Sequence, residues 1–299
     1  MRYRNLSSYF REKYGRRLKK ICIDGGFTCP NRDGTAGFGG CIFCGERGSG
    51  EHIDIGRSIG EQVKLGLSSG SDDDLFVAYF QNFTNTYAPT NVLKERYDAA
   101  LIDNRIRVLA IGTRPDCINE EIAELIASYK ERCDVWVELG LQSSSDEVAE
   151  LINRGYKTEA YERAVKILEK YAIPVVTHII IGLPNESVES IKRTIDYVAD
   201  FGGFGVKLHS IYVMQGTRLA ALYEKCDYTP PTLEEYLDCI RYVVRRFSPE
   251  TVFHRLTGDC PEGLLIAPSW NKDKNALLSK IQARLEELKV TQGELYPQK

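Results

Sequence analysis

Alternation of short apolar strands with helical stretches is what most constrains the fold of this chain. Period-2 and period-3.6 patterns along its 299 residues predict strands at 20–24, 75–81, 107–113, 135–141, 174–181 and 206–213. Helical stretches follow at 58–67, 91–103, 119–132, 146–153, 159–171 and 188–201, with Asn119 placed as a cap and Glu120 and Glu121 in a first turn. Six strand–helix steps with short links require parallel pairing, because each helix carries the chain back to the starting edge. The fold class is therefore α/β, a barrel or a doubly wound sheet. After Pro230 and Pro231 the pattern changes. Helices at 233–247 and 275–288, with a candidate strand at 252–256, read as a mostly helical C-terminal extension over 231–299.

Sites in such folds lie at the carboxyl ends of the strands. Val135, Val137, Leu139 and Leu141 alternate with Trp136, Glu138, Gly140 and Gln142, so Glu138 and Gln142 share a face. Lys207 and His209 share a face opposite Val206 and Leu208, and Arg114 follows the third strand. A parallel strand covered on both sides reads apolar throughout. Ionisable residues on one face of several strands therefore indicate a polar lumen; the competing reading is that each is a satisfied internal ion pair.

Nine cysteines are an odd number. No apolar run approaches the roughly 20 residues of a membrane span, and no signal peptide follows Met1, so a cytoplasmic, non-membrane protein is expected. Reduced, metal-binding or catalytic cysteine then fits better than a disulfide scaffold. Cys29, Cys41 and Cys44 fall within 16 residues of a glycine-rich loop after the first strand, spaced C-x11-C-x2-C. The two-residue gap lets Cys41 and Cys44 reach one metal centre, and the glycines let the backbone wrap it. A closed zinc site needs four ligands; Cys22 lies in the strand and His52 is the nearby histidine, so a fourth is not evident. A 4Fe–4S cluster held by three thiolates keeps one iron open for a small molecule. Cys22, Cys117, Cys133, Cys226, Cys239 and Cys260 form no CxxC pair, and no second cluster is expected.

The loop, with Phe43 just before its last cysteine, resembles the cysteine motif of the radical S-adenosylmethionine (SAM) superfamily. Its long first gap is similar to the Elongator-like branch and to a bacterial group linked to wobble-uridine modification of tRNA, over residues 3–290. The resemblance implies a partial (β/α)6 radical SAM barrel over 20–230. It implies a 4Fe–4S cluster on Cys29, Cys41 and Cys44, with SAM on the fourth iron and Phe43 near the adenine. Gln81, Thr84 and Asn85 stand where the family has a glycine-rich motif for the SAM amino group, without its glycines. Glu138 to Ser143 resembles the fourth-strand motif whose glutamine, here Gln142, reaches the ribose. Arg154 matches an arginine that pairs with the SAM carboxylate, and Gly182, with Leu183 and Pro184, a turn that supports adenine. Each alone is also an ordinary strand-end cap or turn.

The implied chemistry is one-electron cleavage of SAM to methionine and a 5′-deoxyadenosyl radical, which takes hydrogen from a substrate. The electron would come from a donor such as flavodoxin or ferredoxin. The net charge of −3 conceals a segment, residues 1–20, with eight basic residues and one acid, interleaved with Tyr3, Tyr9, Phe10 and Tyr14. Such a segment can neutralise phosphates and stack on bases, or be a solvated helix face. With the resemblance, the leading expectation is a tRNA-modifying enzyme. It would act on the carboxymethylaminomethyl group at wobble uridine C5, with tRNA held through residues 2–20. Arg114, Lys207, His209 and Arg255 are the candidate substrate groups. His254 to Asp259, with Pro268 to Trp270, is expected to form a lid or RNA-facing segment, or else to pack. The alternatives are a small-molecule radical SAM enzyme similar to oxygen-independent coproporphyrinogen oxidase, a zinc-stabilised RNA-binding protein, and a redox-sensing cluster protein.

Overall fold

The computed structural model describes residues 2–48, 50, 53, 56–261 and 263–297. In chain order the elements are α1 (Leu6–Tyr14), β1 (Leu18–Ile23), α2 (Ile59–Ser68), β2 (Leu75–Phe80), α3 (Thr90–Ala100), β3 (Ile106–Thr113), α4 (Glu120–Ser128), β4 (Asp134–Gln142), α5 (Asp146–Leu151), α6 (Thr158–Lys170), β5 (Val175–Ile181), α7 (Val188–Phe201) and β6 (Gly205–Ser210). Then follow β7 (Val213–Met214), α8 (Arg218–Glu224), α9 (Leu233–Arg246), β8 (Val252–Leu256), β9 (Leu265–Ala267) and α10 (Lys274–Glu287). Asn119 caps α4 as expected, its side chain accepting the Ile122 N–H.

The main sheet runs β1-β2-β3-β4-β5-β6-β8 with every neighbouring pair parallel. It therefore carries one strand beyond the six expected. The stretch 252–256, assigned to the helical extension, is instead the seventh strand, paired with β6 from Gly205 to Leu208. The string beginning at His254 thus starts inside the sheet, not in a lid.

The sheet is strongly curled. Lys207 of β6 donates to the Tyr79 hydroxyl of β2 at 2.8 Å. Those strands are four steps apart, about 19 Å on a flat sheet at roughly 4.8 Å per step. Only a half-barrel closes that distance. Its outer face is apolar and covered by helices: Val63, Leu93, Ile126, Leu168, Ile195 and Val243 pack there against Phe80, Ile111, Val137, Ile179 and Leu208. The inner face is split along its height. Its lower tier, Val77, Val108, Ala110, Trp136 and Val176, is apolar and packs on Phe10 of α1. Helix α1 thus closes the amino-terminal end of the lumen, its start fixed by the Asn5 cap and its end by Gly15 in the left-handed conformation.

The cysteine loop is anchored at the other end. Ile42, 6% exposed, sits in a second apolar cluster with Val148, Ile152, Ile211 and Leu219. Ile42 N–H donates to Ile152 and its carbonyl accepts from Leu219. The Asn153 amide donates to the Gly40 carbonyl at 2.7 Å. No helix among the described residues is long and apolar enough to cross a membrane.

Candidate active site

Above the apolar tier, inward-facing residues change from aliphatic to polar. Tyr79 on β2, Glu138 on β4, His178 on β5, Lys207 and His209 on β6, and His254 on β8 all line one cavity of about 750 Å³. Glu138 is the hub and is 1% exposed. Its carboxylate accepts from Trp136 Nε1 at 3.1 Å, from His178 at 2.7 Å and from Lys207 at 2.8 Å. His254 Nδ1 stands 3.9 Å away. Burial alone would raise the Glu138 carboxyl; the Lys207 charge and the His178 hydrogen bond overcome it and hold it well below the usual range. Burial pulls Lys207 down to about 8 against the attraction of Glu138. Burial also pushes His178 down to about 4 and His254 to about 3, and takes His209 well below its ordinary value. The lumen thus holds one ion pair among neutral imidazoles.

The sequence placed Glu138, Gln142, Lys207 and His209 on inner faces, and they are there. Tyr79, His178 and His254 were missed. The signal was present for the first two, since Tyr79 shares a face with Val77 and Gln81, and His178 with Val176 and Ile180. His254 depends on β8, which had been assigned elsewhere. One glycine makes room for it: a Cβ on Gly205 would come within 2.8 Å of the His254 ring.

At the mouth, Cys29, Cys41, Cys44 and Phe43 line the same cavity as Gln81, Thr84 and Gln142. Arg114 points Nη1 at Cys29 Sγ (3.9 Å), and the Asn31 amide points at Cys41 Sγ (4.0 Å). The Cys44 thiol hydrogen-bonds Cys41, pushing Cys41 down to about 7, with Arg114 and Arg154 adding their charge. Among the described residues no three His, Cys, Asp or Glu side chains come together around a single-ion site; His52 lies outside the described residues. Thr84 Oγ1 and Gln142 Oε1 are buried with no hydrogen-bond partner among the described residues. Three thiols, two of them with N–H groups at their sulfurs, beside two such orphaned oxygens, fit a cluster with a polar ligand next to it.

Other candidates have different surroundings. Asn85 is fully buried and ties β2 to β3, donating to the Phe80 and Gly112 carbonyls at 3.2 and 2.7 Å. Arg154, 1% exposed, donates to the carbonyls of Leu141, Ser143 and Tyr156 and to Thr158 Oγ1. Its donors brace the end of β4 rather than pointing into the cavity. Arg114 forks onto Asp116 at 2.9 and 2.7 Å and also donates to the Arg154 carbonyl. Gly182, at φ +99°, turns the chain after β5; a Cβ there would lie 2.5 Å from Pro231. Trp270 stacks on Tyr236 and donates to the Pro231 carbonyl at 3.0 Å, a packing role.

The model of the radical SAM superfamily matches residues 29–198, and that of the radical SAM C-terminal domain matches residues 204–287. The chain belongs to the radical SAM superfamily. It is 36% identical over 299 residues to the uncharacterised protein YtqA of Bacillus subtilis, covering 99% of this chain and 93% of that one. It is 29% identical to a tRNA uridine(34) acetyltransferase of Methanocaldococcus infernus, over 54% of this chain and 30% of that protein. The structure of the Methanocaldococcus infernus Elp3 with an N-terminal deletion superimposes with a TM-score of 0.71 at 20% identity, over 92% of this chain and 64% of that chain. The half-barrel of this radical SAM enzyme is the fold of that structure. Membership implies a 4Fe–4S cluster and SAM.

Proposed function

We propose that this radical SAM enzyme modifies tRNA, acting on the carboxymethylaminomethyl group at C5 of the wobble uridine on the route to the methylaminomethyl form. The observation that carries the reading is one cavity with three cysteines at its mouth and a buried polar floor, deep enough for a base and its C5 arm. A base inside a stem could not reach such a floor, whereas an unstacked anticodon base can enter it. The tRNA uridine(34) acetyltransferase among the relatives supports the choice of substrate.

Cys29, Cys41 and Cys44 would hold the cluster, which when bound with SAM supplies the hydrogen-abstracting radical. The chain's own residues do the rest. Phe43 and the Gly182 turn would shape the wall for adenine. Thr84 and Gln142, with partnerless oxygens, would receive donors of SAM, and Gln81 lies beside them. Arg154 and Asn85 would hold the strand ends in place. Helix α1 closes the floor against water, which preserves a reactive species for its substrate.

The basic segment is partly spent within the fold. Arg2 pairs with Glu286, Arg4 with Glu12 and Glu250, Lys13 with Asp134 and Lys19 with Asp74. Arg17 and Lys20 line the cavity, and Arg11 is exposed. These three are the cations we assign to tRNA phosphates. A one-electron donor such as flavodoxin or ferredoxin would dock near the cysteine loop.

The test is mass spectrometry of tRNA nucleosides from cells with and without the protein. Accumulation of carboxymethylaminomethyluridine in its absence supports the reading, and an unchanged profile overturns it. Cys29→Ala, Cys41→Ala and Cys44→Ala are each expected to lose both the iron–sulfur absorbance and 5′-deoxyadenosine formation.

A further inference from the structure

The carboxylates lining the cavity are Glu138 and Asp259, and each already has a lysine: Lys207 on Glu138 at 2.8 Å and Lys274 on Asp259 at 2.8 Å. Arg255 lies on the same side of the lumen and shares Asp259 with Lys274. Its Nε and Nη2 atoms are sealed from solvent without a hydrogen-bond partner among the described residues. Nη2 stands 3.3 Å from an Asp259 oxygen, in a geometry that makes no hydrogen bond. His209 Nε2 is likewise buried without a partner. Lys207 spends two of its three N–H groups on Glu138 and Tyr79, leaving one. Register brings the three together: Arg255 pairs with Lys207 across β8 and β6, and His209 is two residues further along the same face.

A buried guanidinium edge that makes no hydrogen bond is costly even beside a carboxylate, and native structures keep one where a ligand completes it. The parallel Nε–H and Nη2–H bonds match the two oxygens of a carboxylate. We infer that Arg255, His209 and the third N–H of Lys207 form a carboxylate-binding subsite on the lumen floor. The inference deepens the tRNA reading and rests on it for the source of the anion: the glycine-like end of the C5 arm. Held there, the arm would place its methylene carbons between floor and mouth, and a substrate lacking the carboxylate would leave the edge unsatisfied.

The test uses the cluster-loaded full chain without reductant, so that nothing turns over. Calorimetry compares 5-carboxymethylaminomethyluridine, 5-aminomethyluridine and inorganic phosphate. The carboxylate nucleoside is expected to bind about tenfold or more tighter than the amine, as a bidentate charged contact does. Arg255→Gln should erase that preference. Arg255→Lys should keep only part of it, and it remains a usable readout if the glutamine variant folds poorly. A preference undiminished in both variants overturns the subsite, and so does phosphate competing as well as the carboxylate nucleoside. The two readings fail separately. If N-methylglycine binds in an Arg255-dependent way while tRNA nucleosides are unchanged, the subsite stands and the tRNA reading falls. If the nucleosides change but the Arg255 variants discriminate as wild type does, the tRNA reading stands and the subsite falls.

Discussion

Three histidines kept neutral in the lumen tie the protein's stability to acid. Burial holds all three below the ordinary 6.5: His178 at about 4, His254 at about 3, and His209 well below its usual value. Below pH 6.5 the unfolded chain takes up protons that the folded chain refuses. Stability is therefore full above that pH and is lost as pH falls from 6.5 towards 4. With up to three protons involved, the slope should approach about 4 kcal/mol per pH unit near pH 5. Urea midpoints read by tryptophan fluorescence across pH 4–7 check this, and His254→Phe should remove roughly a third of the slope. Glu138 and Lys207 form the complementary case. Lys207→Met leaves the Glu138 charge buried without its cation, and should cost about 3–5 kcal/mol. A loss under 1 kcal/mol would show that the hub is better hydrated than its geometry indicates.

Among the elements, the Gly182 turn and α1 have opposite sensitivities. Gly182→Ala places a Cβ 2.5 Å from Pro231 at a φ of +99°. It should weaken SAM binding at least as much as it lowers the melting temperature, because the turn lies at the end of the strand that carries His178. Phe10→Ala should cost about 3–5 kcal/mol, as for other buried aromatics, and open the floor to water. A matching rise in uncoupled SAM cleavage would reveal the opening. Six of the seven main-sheet strands were legible because β-branched and apolar runs alternate with helical stretches of ordinary length. The seventh was legible as a candidate strand at 252–256, but its place in the main sheet was not: β8 spans only five residues and carries His254 and Arg255 side by side. A shift in register against β6 lets both serve the lumen. The cysteine loop was legible from spacing alone. The roles of Arg154 and Asn85 were not, because a saturated arginine and a ligand-binding arginine look alike until their acceptors are known.

Across the whole molecule, the body is acidic and the net positive charge is concentrated at one end of the chain. Internal ion pairs consume about half of that segment, so only a few cations remain for a polyanion. Replacing Arg11, Arg17 and Lys20 together by alanine should weaken tRNA binding and reduce the slope of log affinity against log salt by about 2–3. An unchanged slope would assign the phosphate contacts to another face. The same end of the chain reaches across to the other. Phe253 N–H donates to the Arg4 carbonyl, Arg4 N–H to Gln292, and Arg2 pairs with Glu286. This closure imposes an order on biosynthesis. The ribosome must make some 240 residues after Phe10 before the strand that the N-terminal segment pairs with exists, an interval of about 12–50 s at ordinary elongation rates. Through that interval Phe10 can seat on the lower tier as soon as β5 is made, while the segment at Asn5 waits for its partner strand.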